Sequence, residues 1–66
     1  MNIKQMLDEL YKDGWGVHVE LLSHGWTAVA KKPNRAGVTV FGFSTKERAI
    51  AMLYDTVKSQ DWRHER

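Results

Sequence analysis

The sequence predicts an α+β domain ordered helix, strand, strand, strand, helix. The strands form a three-stranded antiparallel sheet, and both helices pack on one of its faces. Three observations predict this. Apolar residues recur at helical spacing near both ends of the chain. Between those ends the spacing shortens to two. The breaks between segments carry turn residues, and they are short enough for neighbouring strands to pair as a meander.

The first helix is expected over residues 3–13. Ile3, Met6, Leu7, Leu10 and Tyr11 lie on one helical face. Asn2 is placed to cap it, with Gln5 as its capping-box partner. Gly14 stops it, because glycine adopts the left-handed conformation at low cost. Trp15, Val17, Val19 and Leu21 then alternate with Gly16, His18, Glu20 and Leu22, the pattern of a half-buried strand. Ser23-His24-Gly25 is a tight turn. A second strand is expected from Trp26 to Lys32, followed by the loop Pro33-Asn34-Arg35-Ala36-Gly37. The third strand runs from Val38 to Phe43. Gly42 marks a candidate bulge, so either the valines 38 and 40 or the phenylalanines 41 and 43 point into the core. Ser44 and Glu47 make an S-x-x-E capping box for the last helix. Its apolar stripe is Ile50, Leu53, Tyr54 and Val57, and it is expected to end near Lys58 or Gln60. Residues 1–60 thus form one domain, and 61–66 a short charged tail.

Composition bounds the function. The chain has 66 residues, 42% of them apolar and 27% charged. That is the balance of a globular chain and not of a disordered one. No apolar run reaches the length of a membrane span, and Met1-Asn2-Ile3-Lys4-Gln5 does not read as a secretory signal. Cysteine is absent, which excludes disulfides, thiolate metal sites and cysteine nucleophiles. A cytoplasmic location and no cofactor are expected. A domain of this size buries only about 60% of its unfolded surface, so a second copy or a larger partner would add stability.

The chemistry-bearing residues fall into three sets. The histidines 18, 24 and 64 have no metal-ligand spacing. His18 and Glu20 share the open sheet face, a pairing able to do acid–base work but ordinary on a surface. His24 sits in the turn. The second set is basic. Lys31, Lys32 and Arg35 gather at the second hairpin loop, and Lys46 and Arg48 start the last helix. Cations in that first turn oppose the helix dipole at a cost of a few tenths of a kcal/mol. They read either as phosphate contacts or as a solvated face. The third set is aromatic: Trp26, Phe41 and Trp62, the last beside Arg63. Exposed tryptophan next to arginine is enriched at protein interfaces.

The order of elements resembles the double-stranded RNA-binding domain across nearly the whole chain. That resemblance implies duplex contacts from the first helix, from the turn holding His24, and from Thr45-Lys46-Glu47-Arg48. Residues 7–40 also resemble HicA-type mRNA interferase toxins. Leu10-Tyr11-Lys12-Asp13-Gly14-Trp15 is similar to that family's helix end, Ser23-His24 to its catalytic turn, and Lys32-Pro33-Asn34 to its second hairpin. The resemblance implies a ribonuclease in which His24 is catalytic. Leu22 and Phe41-Gly42-Phe43 depart from the toxin pattern.

The leading expectation is a non-catalytic module that contacts RNA or DNA through His24, Lys31, Lys32, Arg35, Lys46 and Arg48. It would read phosphates and duplex shape. One alternative is a protein-binding inhibitor or adaptor of phage or mobile-element type, using Trp26, Phe41, Trp62 and Arg63. The other is a HicA-like toxin.

Overall fold

The computed structural model describes the backbone of residues 2–64 and the side chains of residues 2–59. Five elements follow in the expected order: α1 (Ile3–Lys12), β1 (Gly16–Leu22), β2 (Gly25–Lys31), β3 (Val38–Phe43) and α2 (Lys46–His64). The strands form one antiparallel sheet in the order β1-β2-β3. Both helices pack against it, and they touch each other.

Local chemistry fixes α1 at both ends. The Asn2 side chain accepts the Gln5 backbone N–H at 2.9 Å, and the Gln5 side chain accepts the Asn2 N–H at 3.0 Å. Two orphan donors are thereby satisfied. At the other end Gly14 sits at φ +95°. Its N–H reaches the Tyr11 carbonyl, and the Trp15 N–H reaches the Leu10 carbonyl at 2.9 Å. This pair of bonds is a Schellman stop. Leu10 and Trp15, which share the second bond, are both in the core.

The hairpin β1–β2 has a two-residue turn, Ser23-His24, with Leu22 paired to Gly25. The β2–β3 loop opens with Lys32-Pro33-Asn34-Arg35. Asn34 has φ 66°, and the Arg35 N–H bonds the Lys32 carbonyl. Proline followed by a positive-φ asparagine is the pattern of a type II turn.

The third strand resolves its ambiguity by splitting the two sets. Val38 pairs with Ala30 and Val40 with Ala28, but Phe43 pairs with Trp26. Phe41 and Gly42 therefore stand opposite Thr27 alone. Gly42, at φ +85°, is the extra residue of a bulge. Val38, Val40 and Phe43 face the helices, while Phe41 is 64% exposed on the opposite face.

The core joins Leu10, Trp15, Ala28, Ala30, Val38, Ala49, Leu53 and Val57. Val17, Val19, Trp26, Val40, Phe43 and Tyr54 pack against it, half-buried. The alanines on the central strand, and Ala49 on α2, let helix and sheet approach closely. Trp26 thus lies on the helix side of the sheet.

Two expectations about α2 are corrected. Its cap is Thr45 and not Ser44, because the Thr45 hydroxyl accepts the Arg48 N–H at 3.2 Å. Glu47 then lies in the first turn without the box geometry expected with Ser44. The helix also continues past Gln60 to His64. No helix among the described residues is long and apolar enough to cross a membrane.

Candidate functional site

The meander sorts the basic residues by the ends of the sheet. β2 starts beside the Ser23-His24 turn and ends at Lys31, about 20 Å away for a seven-residue strand. β3 runs back, so its end and the start of α2 return to the turn. His24, Lys46 and Arg48 therefore share one end of the sheet, and Lys31, Lys32 and Arg35 the other.

The turn end is held by a backbone contact. A Cβ built on Gly25 would lie 3.0 Å from the Cα and the carbonyl carbon of Gly42, and 3.1 Å from the Phe43 nitrogen. The His24 carbonyl is likewise close to Gly42. The His24 ring meets the Phe41 ring edge to face, with centroids 5.4 Å apart and planes at 86°. Its described contact is thus aromatic and carries no carboxylate partner. Lys46 and Arg48 are exposed in the first turn of α2. Arg48 also stands at the rim of an open apolar groove between the helices, with Met6, Phe43 and Met52 along it and Asp55 at its far side.

At the other end, Lys32 is half-buried with its ammonium 5.5 Å from the Trp15 ring centre. That cation–π contact gives the side chain a structural task. Lys31 is exposed and Arg35 half-buried. Of the aromatic set, Trp26 packs on the core and Phe41 is open. Trp62 and Arg63 lie outside the residues whose side chains are described.

The expected His18–Glu20 pair is present, and a second polar cluster, between the helices, was not readable from spacing. His18 and Glu20 hydrogen-bond at 2.7 Å on the open face, both exposed. Between the helices, the Tyr54 hydroxyl donates to Glu9 at 2.7 Å. The Lys58 ammonium lies 3.4 Å from Glu9 and 3.3 Å from Asp13, over the Tyr54 ring. The Tyr54 hydrogen bond holds the Glu9 carboxyl below its usual range, against partial desolvation and with help from Lys58. The same bond pushes the Tyr54 phenol up. Burial opposes the Lys58 charge, but its bonds and charge pairing with Asp13 and Glu9 outweigh that and raise its pKa. This cluster fastens α1 to α2 and lies on the helical layer, away from the turn.

Compared with known protein families, curated proteins and solved structures, the chain finds no match in any of the three.

Proposed function

We propose that this chain is a non-catalytic nucleic-acid-binding module that grips duplex RNA by backbone and shape. The observation that supports it is the Gly25–Gly42 contact, which draws the His24 turn and the first turn of α2 to one end of the sheet. That end offers an imidazole, two exposed cations and the free N–H groups of a helix start, all of which suit phosphate oxygens. Lys31 and Arg35, about 20 Å along the sheet, would meet the same duplex further on. DNA offers the same phosphates and is an arm of the test.

Titration against duplex RNA, duplex DNA and single strands at low and moderate salt tests this. Neutralising about four phosphates predicts a loss of roughly two decades in affinity between 50 and 200 mM salt. The double variant Lys46→Ala/Arg48→Ala should weaken binding and flatten the salt slope by about two. No binding to any nucleic acid at the lower salt overturns the proposal. RNA cleavage that disappears in His24→Ala would replace it with the ribonuclease reading.

A second reading has its own observation. Phe41 is widely exposed beside His24, and Leu22 stands near it at the same end of the sheet. Such a patch suits a protein partner. That reading predicts binding with little salt dependence and a large loss in Phe41→Ala.

A further inference from the structure

β1 is an edge strand, hydrogen-bonded to β2 along one side only. Its outer side presents a row of backbone N–H and C=O groups, a template for another strand. The opposite edge, β3, carries the Gly42 bulge, which twists an edge away from such pairing. β1 has no such protection. Its seven residues pair with β2 without a register break, and they include neither proline nor lysine.

The strand is also symmetrical in chemistry about Val19. One step to either side stand His18 and Glu20, a matched imidazole and carboxylate. Two steps away stand Val17 and Leu21, both apolar. Alternation puts Leu21 on the helix side with Val17 and Val19, yet it is 62% exposed. It lies at the border of the sheet, and most of its side chain is left open by the described residues.

We infer that two copies of this chain pair through β1, antiparallel, about a two-fold axis at Val19. In that register His18 faces Glu20 of the second copy, and Glu20 faces its His18. Donors and acceptors then alternate around the axis on the open face. On the helix side Val17 faces Leu21 of the second copy, so both exposed leucines are covered. An axis at His18 would set imidazole against imidazole, and one at Glu20 carboxylate against carboxylate. Only the axis at Val19 sets unlike groups opposite each other. The contact uses the same patch twice and therefore closes. The resulting six-stranded sheet ends on a bulged β3 at both sides. The inference does not rest on nucleic-acid binding, since His24, Lys46 and Arg48 lie at the turn end and outside the seam.

Sedimentation equilibrium of the full chain, from about 10 µM to about 1 mM, tests it. A dimer mass is expected within that range. Glu20→Lys should raise the dissociation constant about tenfold or more. The double variant His18→Glu/Glu20→Lys, which exchanges the partners, should restore it. Leu21→Lys, aimed into the seam, should be monomeric throughout. Circular dichroism checks that each variant is folded. If one is not, nuclear Overhauser contacts between Val19 methyls of differently labelled wild-type copies decide the case. A wild-type monomer at the highest concentration overturns the inference. So does a dimer indifferent to both Glu20→Lys and Leu21→Lys. Failure of the double variant to recover overturns the Val19 register.

Discussion

Gly25 and Gly42 meet backbone to backbone where the first hairpin turns and the third strand ends. A Cβ on Gly25 would stand 3.0 Å from two Gly42 backbone atoms, and Gly25 itself sits at φ +120°. Gly42 is also left-handed, but a Cβ there meets only the His24 carbonyl, at 3.9 Å. Gly25→Ala carries both strain and a clash, and is expected to cost about 3 kcal/mol. Gly42→Ala carries strain alone, about 1 kcal/mol. Urea unfolding of the two variants measures the order, and equal costs would contradict the contact.

The two phenylalanines should behave oppositely. Phe43 packs on the core, so Phe43→Ala is expected to lose about 2 kcal/mol or more. Phe41→Ala should stay within about 0.5 kcal/mol of wild type. Thermal unfolding separates them easily, because about 1 kcal/mol moves the Tm of so small a domain by about 4–8 °C. A destabilised Phe41→Ala would mean the bulge is misplaced.

The cap of α2 gives a sharper comparison. Thr45→Ala removes the acceptor of the Arg48 N–H and is expected to cost about 1 kcal/mol. Ser44→Ala removes no such bond and should be close to neutral. The reverse order would restore Ser44 as the cap.

Acid should loosen the helix pair. Glu9 titrates below its ordinary range in the folded chain, so its contribution to stability is full above the ordinary glutamate pKa. It is lost as pH falls through the lowered folded value. Tyr54 has the opposite sense. Its pKa is raised, so its contribution is full below the ordinary tyrosine value and is lost as pH rises through the raised one. The urea midpoint of wild type should therefore fall more steeply between neutral pH and pH 3 than that of Glu9→Gln. Parallel curves would mean that the Tyr54–Glu9 bond does not persist in solution.

What the sequence made legible was local. The Asn2–Gln5 box, the Gly14 stop and the two-residue alternation of β1 each involve neighbours within a few positions. The meander followed from short connections, while the separation of the cations to opposite ends of the sheet came only with the fold. Other features were closed to the same reading. Ser44 and Thr45 are adjacent hydroxyls, both able to cap, and the geometry of the strand end chose between them. Phe41 and Phe43 could be read only as a pair, because alternation offers no third choice until a bulge intervenes. The Tyr54–Glu9 bond joins residues 45 positions apart. No periodicity reaches that far. It appears only once two amphipathic helices lie side by side.

Taking Gly42 out on paper leaves the order of faces intact: Val38, Val40 and Phe43 would still point one way, Thr39 and Phe41 the other. The glycine therefore acts as a spacer. It changes how much chain separates the sheet from α2 without rewriting which residues the core receives. One residue of extra chain therefore stands between the paired part of β3 and the cations of α2. The same residue thus serves two ends at once: it keeps Phe43 in the core and lies against the backbone of Gly25.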